Sequence, residues 1–483
     1  MLNTIQFSVF IGITALIGLL TYLQCRKSVA GDRSSGNDYF LANGGLTWYF
    51  VAGSITLTNL STDQLVGMNG NQMLLLAWWE LAAVCGLFIL AFVFLPIYYR
   101  NDCTTTTELL QKKYGDRHIR ALISFLFLMG NLFIFLPIVL YGGSLFLKSM
   151  FGLDIPLMAI AITFAVVGAA YAILGGLRAV AVSDTYSGVL ILSLALLVVF
   201  LSLSAINFDF AGIPAERLTL IGDNDSPIPW HTLLTGMIFI QTFYWSTNQT
   251  ITQRAMAAPN IKEAQKGVLA AAGIRLMIVP VIVTVPGVVA FKLYGDLNDA
   301  TYGQIVGDIL PVWLSGAFAA AMAAAVLTTF NSILNASAAL YVCDIHEAYI
   351  NKKAKVPVLS AIVSISMTLL AIVLVPVYQA EESLINILQE RYGLLSMPIL
   401  SAFIVGLAFR NVDARAAIAG VIAGVGLYGY LTLVLKPFHY IHSMFITLVF
   451  CILFALFVNR FVFGRQARLG GGEEQEAALA EQA

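Results

Sequence analysis

Charged residues are scarce in this chain. Asp, Glu, Lys and Arg together make up 11% of its 483 residues, and 59% of the residues are hydrophobic. A soluble domain carries about 25% charged residues, so this chain has too few to cover a water-facing surface. Apolar runs of about twenty residues, the length that crosses a hydrocarbon core of roughly 30 Å, recur from end to end. The composition predicts an all-α polytopic membrane protein.

Motifs for metal binding and catalysis are also missing. The five cysteines show no CxxC or CxxH spacing, which disfavours a disulfide framework and a zinc site. No HExxH or GxSxG motif occurs, so a membrane enzyme is disfavoured, and we expect no nucleic-acid partner. The histidines fall at the ends of apolar runs or in loops: His118, His231, His346, His439 and His442. The first apolar run, Phe7 to Leu23, lacks a basic segment before it and a cleavage-type ending, which predicts a retained helix rather than a signal peptide.

About thirteen transmembrane helices are predicted from the apolar runs. Their approximate bounds are 5–24, 45–68, 74–98, 119–147, 156–174, 183–205, 231–253, 267–293, 309–342, 356–378, 384–408, 415–435 and 441–463. The stretch 309–342 is too long for one upright span and must tilt, bend or protrude.

The distribution of basic residues predicts the orientation. If the first loop lies in the cytoplasm and the spans alternate, twenty basic residues fall inside and four outside. Cytoplasmic loops are enriched in Lys and Arg, so the N-terminus is predicted outside and the C-terminus inside. The four outside are Lys148, Arg217, Lys292 and Lys436; Arg275 and Arg391 fall within spans.

Polar residues interrupt two of the predicted spans. The second span contains a polar run from Thr56 to Gln64, and the seventh contains one from Gln241 to Thr250. Such runs favour broken helices, which are tolerated at membrane depth only inside protein or beside a water-filled cavity. The alternative is that these side chains only bond neighbouring helices.

The two interrupted spans each begin a set of five helices. Because five is odd, the second set enters the membrane in the opposite sense, as in the inverted repeats of many secondary transporters. The predicted organisation has six parts. They are 1–44 (an extra helix and loop), 45–205 (first repeat), 206–230 (extracellular loop), 231–408 (second repeat), 409–463 (two additional helices) and 464–483 (cytoplasmic tail).

Several segments within 38–410 resemble the sodium:solute symporter family, and within it the sodium/sugar branch. They include Asp38-Tyr39-Phe40-Leu41-Ala42, Asn59-Leu60-Ser61-Thr62-Asp63-Gln64, Trp79-Glu80, Gly175-Gly176-Leu177-Arg178, Tyr244-Trp245, Ile251-Thr252-Gln253-Arg254, Thr328-Thr329, Gln389-Glu390 and Tyr392-Gly393. The resemblance implies a LeuT-like core of 5+5 inverted repeats. It also implies a sodium site formed by the carbonyls of Leu57, Leu60 and Ala325 and the hydroxyls of Thr328 and Thr329. Neutral oxygens of this kind suit a hard cation.

The resemblance also implies a sugar site. Gln64, Glu80, Gln241 and Gln389 match side chains that hold hexose, and Tyr244, backed by Trp245, matches an aromatic that closes the site inward. Two departures indicate a reshaped cavity. Gln241 stands where related sugar carriers have Asn, and Trp79 and Ala83 stand where a Tyr and a Ser are expected.

The intramembrane charges leave several interpretations open. Glu80 binds solute or pairs with another span. Arg275 lies near a Lys that contacts sugar in the family, and it is a solute contact, a counter-ion for Glu80 or a snorkelling side chain. Asp184 follows the Gly175–Arg178 turn and either guides a leaving cation inward or is a solvated or capping carboxylate. Asp63 and Glu390 are interpreted as structural.

Taken together, the sequence predicts a sodium-coupled symporter of a small polar solute, most simply a sugar, in the plasma membrane (the inner membrane in a Gram-negative cell). The alternatives are symport of a sugar acid, an amino acid or a vitamin carboxylate and, in a different class, an uncoupled facilitator or channel. Stoichiometry and oligomeric state stay open.

Overall fold

The computed structural model describes residues 4–26, 40–41, 44–60, 62–351, 355–379 and 383–470. Within helices, the side chains of residues 25–26, 174–176 and 178 are also outside the description. Asp38-Tyr39, Ala42, Ser61, most of the first loop and the predicted tail beyond 470 therefore lie outside the described residues.

The described chain is almost entirely helical. Its α-helices are α1 (Thr4–Arg26), α2 (Trp48–Asn59), α3 (Thr62–Gly70), α4 (Trp78–Ile89), α5 (Leu95–Arg100), α6 (Thr106–Tyr114), α7 (Arg117–Gly130), α8 (Leu136–Phe151), α9 (Leu157–Ala205), α10 (Ala215–Leu218), α11 (Gly236–Ser246), α12 (Gln249–Met256), α13 (Ile261–Met277), α14 (Val279–Tyr294), α15 (Thr301–Ile309), α16 (Val312–Ala339), α17 (Glu347–Tyr349), α18 (Val356–Tyr378), α19 (Leu384–Ala408), α20 (Ala414–Gly429) and α21 (Tyr440–Phe461).

Shorter elements join or extend these helices. The 3₁₀ turns are Leu74–Ala77, Trp230–Leu234 and Asn298–Ala300, and the π-helical segments are Leu90–Phe94, Asn131–Phe135, Leu340–His346 and Tyr430–Leu435. Two short strands pair antiparallel: β1 (Phe409–Arg410), which follows α19, and β2 (Arg468–Leu469), which follows α21.

Ten helices in the described part are long and apolar enough to cross a membrane. The three other predicted spans are the two interrupted ones, now split into α2–α3 and α11–α12, and the stretch 156–174. That stretch is apolar over Leu157–Ile173 but is continuous with the span after it, within one helix, Leu157–Ala205. The count of thirteen crossings and the orientation of the termini stay predictions.

The helix α9 is bent. Its 49 residues would measure about 74 Å if straight, more than twice the thickness of a hydrocarbon core. The Tyr171 hydroxyl nevertheless donates to the Ala179 carbonyl eight residues further on, at 3.0 Å, and a straight helix would separate the two positions by about 12 Å. The bend lies where the sequence predicts the Gly175–Arg178 turn.

Both predicted helix breaks are present. α2 ends at Asn59; the N–H of Leu60 donates to Thr56 O at 2.9 Å, and Leu60 itself leaves the helical conformation with φ −77° and ψ 70°. α11 ends at Ser246, and α12 begins after Asn248, whose side chain accepts from the Thr250 N–H at 3.0 Å. Asn is a favourable N-cap because its short amide oxygen satisfies a free N–H of the first turn.

The π-helical segment Asn131–Phe135 has a local cause. Pro137 has no N–H to offer the carbonyl four residues earlier, and the helix widens over the turn that precedes it. The freed carbonyl of Phe133 accepts a hydrogen bond from the Tyr378 hydroxyl instead. Phe135 is the last residue of this widened turn.

Helix α16 lies at the centre of the fold. It is buried over almost its whole length and carries a run of small residues, Ala319 to Ala325, broken only by Met322. Small residues let neighbouring backbones approach closely in a membrane. α16 packs against α9 and α2, and α9 and α2 also approach closely, since a Cβ on Gly53 would lie 2.4 Å from Thr185 Oγ1.

Candidate functional site

A buried cavity lies between the two helix breaks. It encloses about 450 Å³ of space free of protein atoms, its opening included. Its walls come from the α2 break, α3, α4, α11, α19 and the Asn131–Phe135 turn. The lining residues are Asn59, Asp63, Gln64, Trp79, Phe135, Ile240, Gln241, Tyr244, Trp245, Leu388, Gln389 and Tyr392.

The cavity brings together five of the seven residues predicted to bind solute. Gln64, Gln241, Tyr244, Trp245 and Gln389 line it, whereas Glu80 and Arg275 do not. These five come from three helices that are distant in sequence, α3, α11 and α19. Their convergence is what the resemblance to sugar carriers implies, and their role in binding stays a prediction.

The amide side chains in the cavity wall differ in which of their hydrogen-bonding atoms remain without a partner. Gln64 Nε2 donates to Asn59 Oδ1 at 3.1 Å, while Gln64 Oε1 is buried with no partner among the described residues. Gln241 is held on both ends, because Nε2 donates to the Trp79 carbonyl at 2.9 Å and Oε1 accepts from Trp245 Nε1 at 2.8 Å. The extra methylene of Gln241 relative to Asn allows this bridge. Gln64 Oε1 is therefore free to accept a hydrogen bond from a molecule in the cavity.

Glu80 and Arg275 form a buried ion pair behind the cavity wall. Both side chains are at most 1% exposed, and Arg275 Nη1 donates to Glu80 Oε2. Arg275 Nη2 also donates to the Thr56 carbonyl at 3.2 Å, and the guanidinium lies 4.4 Å from the Trp245 ring centroid. Of the three interpretations of Arg275, the structure shows the counter-ion for Glu80.

Aromatic side chains form one end of the cavity. The Tyr244 and Trp245 rings meet edge to face at 5.2 Å, and the Tyr392 ring meets Phe135 edge to face at 4.6 Å. The Tyr392 hydroxyl accepts from Asn248 Nδ2 at 3.0 Å, which joins α19 to the second helix break.

Several lining residues were not predicted to bind solute. Asn59 and Asp63 belong to the polar run of the second span, and Tyr392 belongs to a segment that carries the resemblance, so a signal was present for these three. Phe135, Ile240 and Leu388 are apolar residues in apolar spans, and no sequence signal distinguishes them.

A second cavity of about 330 Å³ lies next to the first. Three residues, Asp63, Phe135 and Tyr244, line both cavities. The second cavity also reaches Thr58, Asn248, Thr250 and Thr329. It therefore extends from the aromatic end of the first cavity to Thr329, one of the five residues predicted to hold sodium.

The predicted sodium ligands lie at the contact between α16 and the first helix break. The Thr329 hydroxyl donates to the Thr58 carbonyl at 3.4 Å, and the Thr328 hydroxyl donates to the Ala325 carbonyl at 3.2 Å. Leu57, Leu60 and Ala325 are completely buried, and both threonines are at most 4% exposed. Neutral hydroxyl and carbonyl oxygens are a donor set that fits a sodium ion without binding it too tightly.

Asp184 is buried beside this contact. Its side chain is 0% exposed, and Oδ2 accepts from Ser54 Oγ at 2.6 Å and from Thr58 Oγ1 at 3.4 Å. The alternative of a solvated or capping carboxylate is therefore wrong. Its position near Thr58 is compatible with the predicted ion path, which stays a prediction.

Comparisons with known proteins agree with this architecture. A family model described as the sodium:solute symporter family matches residues 39–424. The symporter YidK of Escherichia coli (strain K12) is 34% identical over 481 residues, covering 93% of this chain and 82% of that protein. The sodium/glucose cotransporter of Vibrio parahaemolyticus is 28% identical over 499 residues, covering 95% and 90%.

Solved structures show the same fold. A Na⁺-coupled sialic acid symporter in a substrate-bound, outward-open state superposes with a TM-score of 0.83 at 16% identity, over 97% of this chain and 100% of that one. Mhp1, a nucleobase-cation-symport-1 family transporter, gives a TM-score of 0.57 at 14% identity, over 90% and 96%. At such identities the likeness concerns the fold alone.

The fold and the two broken helices define a LeuT-like secondary transporter. The chain belongs to the sodium:solute symporter family. It is a multi-pass symporter of the plasma membrane that uses Na⁺ as the co-transported ion, and its relatives are transporters, not enzymes.

Proposed function

We propose that this symporter carries a neutral sugar or polyol together with sodium, by alternating access between two inverted repeats at 45–205 and 231–408. The observation that carries the proposal is the lining of the first cavity, whose polar side chains are four amides, two phenols, two indoles and one carboxylate, with no basic residue. Amides offer both donors and acceptors to hydroxyl groups, and aromatic faces pack on the C–H face of a sugar ring. The names of two relatives, a sodium/glucose cotransporter and the sodium/myo-inositol cotransporter 2 of Mus musculus, point to the same class.

The Glu80–Arg275 pair argues against an anionic solute. A side-chain cation is one way to bind a carboxylate, but Arg275 is already bound to Glu80 and buried behind Trp245. Opening a buried ion pair costs about 3–5 kcal/mol. The acidic residue that does line the cavity, Asp63, would repel an anion further. Sugar acids, amino acids and vitamin carboxylates are therefore weaker candidates.

Sodium and solute act on the same helix break. The proposed sodium ligands Leu57 and Leu60 precede the interruption, and Gln64 lies just after it. Sodium bound between α16 and the break would hold α3 in place and so complete the solute cavity. Because coupling between two ligands is reciprocal, the solute would tighten sodium binding by the same factor.

One sodium ion supplies enough energy for useful accumulation. A single charge that crosses about 100 mV contributes roughly 2.3 kcal/mol. Since each 1.4 kcal/mol is a factor of ten, this supports a solute gradient on the order of fifty-fold before the sodium gradient itself is counted.

The test is competition for uptake in proteoliposomes with an inward sodium gradient. Labelled glucose or myo-inositol serves as the reporter, and hexoses, polyols, sialic acid and proline serve as competitors. We expect neutral polyols to compete and the carboxylates to fail. Transport of a carboxylate that no neutral polyol inhibits would overturn the solute class, and uptake at equal rates with and without the gradient would favour a facilitator.

A further inference from the structure

Arg254 is a buried charge to which the transport cycle described so far gives no role. It lies on α12, just after the second helix break, and its side chain is 0% exposed. A buried charge is costly unless it is paired and hydrogen-bonded. The charge that faces Arg254 is Asp184, which is also 0% exposed.

One hydroxyl joins the two charges. Ser54 Oγ accepts from Arg254 Nε at 2.9 Å and donates to Asp184 Oδ2 at 2.6 Å. Arg254 Nη1 donates to the Thr250 carbonyl on its own helix. The remaining atoms, Arg254 Nη2 and Asp184 Oδ1, are buried and have no hydrogen-bond partner among the described residues. Leaving such atoms unpaired is unfavourable, and they belong to opposite charges on either side of Ser54.

The same carboxylate is also linked, through Thr58, to the proposed sodium ligand Thr329. Asp184 Oδ2 accepts from Thr58 Oγ1, and the Thr58 carbonyl accepts from Thr329 Oγ1. Asp184 thus stands between two cation positions. One is the proposed sodium site at α16, and the other is the guanidinium of α12.

We propose that Arg254 is a tethered counter-ion that pairs with Asp184 once sodium has left and gives the carboxylate up when sodium binds. The inference rests on the sodium site proposed above. Sodium and Arg254 compete for one negative charge, so each weakens the hold of the other. The empty carrier can then reorient without an uncompensated buried carboxylate, because the arginine supplies the missing charge.

The decisive variant is Arg254→Gln, which removes the competing charge. We expect purified R254Q to bind sodium more tightly than the parent by at least about fivefold, measured without solute by a sodium titration of thermal stability. In proteoliposomes, net uptake should slow, whereas solute counterflow, which does not need the empty carrier to return, should persist. Unchanged or weaker sodium binding by R254Q would overturn the proposal.

Two further variants separate this role from a merely structural one. Arg254→Lys keeps the charge and loses the planar fork, so its sodium affinity should stay within about threefold of the parent. If R254Q does not fold, the sodium affinity of R254K decides the question. A loss of sodium affinity of tenfold or more in R254K would show that Arg254 acts by positioning Asp184 through hydrogen bonds, and it would overturn the proposal. Arg120→Gln, which removes an arginine paired with Asp344 in another cluster, is the control and should leave sodium affinity unchanged.

The sodium site itself is checked separately. Thr329→Val should abolish the sodium dependence whether or not Arg254 is a counter-ion. A sodium response that survives T329V removes the proposed sodium site. A lost response in T329V together with no tightening in R254Q removes the counter-ion alone.

Discussion

The Arg275 guanidinium lies against the Trp245 ring and pairs with Glu80, so three side chains predicted to bind solute form one buried unit. The charges were visible in the sequence as rare ionisable residues within apolar spans. Their pairing was one alternative among three, because it depends on how α4, α11 and α13 meet. Phe135 had no signal at all, since its place on the cavity wall follows from a widened helical turn.

Breaking the Glu80–Arg275 pair tests this assignment. We expect Arg275→Gln to destabilise the protein by about 3–5 kcal/mol, because it leaves a buried carboxylate without its partner. The double variant Glu80→Gln/Arg275→Gln removes both charges and should recover most of that loss. Thermal unfolding in detergent measures the stability of both variants. Equal destabilisation by the single and the double variant would show that the loss of stability does not come from the unpaired Glu80 carboxylate.

At the scale of helices, the breaks between α2 and α3 and between α11 and α12 were predictable from the sequence, because their causes are local. Polar residues at almost every other position over Thr56–Gln64 and Gln241–Thr250 cannot face lipid, and Asn248 then caps the new helix start. The sequence predicted a turn at Gly175–Arg178, but it could not show that the chain stays helical through this bend, from Leu157 to Ala205. Nor could it show the π-helical turn Asn131–Phe135, because hydropathy does not record how Pro137 frees a carbonyl.

Asp299, in the 3₁₀ turn between α14 and α15, predicts a pH effect at this scale. Its carboxylate accepts from the N–H of Leu384, the first residue of α19, at 2.9 Å, and burial raises the pKa of Asp299 to about 7. A carboxyl whose folded-state pKa lies above its unfolded value of 3.8 favours the protonated folded form. Its contribution to stability is therefore largest below pH 4 and is lost as the pH rises to about 7, by about 1.4 kcal/mol per unit of pKa shift.

The variant Asp299→Asn keeps an acceptor for Leu384 and removes the titration. We expect D299N to melt at a higher temperature than the parent at pH 8 and to lose the decline in stability between pH 4 and 7. A parallel pH dependence in the two proteins would contradict this account of Asp299.

The α16 contact gives a prediction about sodium. Thr329→Val removes the hydroxyl that donates to the Thr58 carbonyl and should abolish the sodium dependence of uptake, with the fold retained. The matched control is Thr368→Val on α18, where the hydroxyl is buried and donates within its own helix to the Ser364 carbonyl at 2.7 Å. A sodium dependence altered equally in both variants would show that the effect is not specific to the α16 contact.

For the whole molecule, the prediction of a LeuT-like membrane protein followed from composition, span spacing and short motifs. The class of solute depends on details that those patterns do not contain. Gln241 is bound to Trp79 and Trp245, and Glu80 is bound to Arg275, so residues that match sugar ligands in the family are partly occupied by contacts within the protein. The polar groups in the cavity wall that these contacts leave for a solute are therefore the other amides, the phenols and Asp63, beside the apolar and indole side chains of the lining.

The most direct measurement of the central claim is the mutual dependence of sodium and sugar binding by the purified protein. Sugar affinity is measured at low and at saturating sodium, and sodium affinity at low and at saturating sugar. The account predicts that each ligand tightens the other by the same factor, at least about fivefold, and that Thr329→Val removes both effects. Sugar binding that does not change with sodium in the parent protein would contradict it.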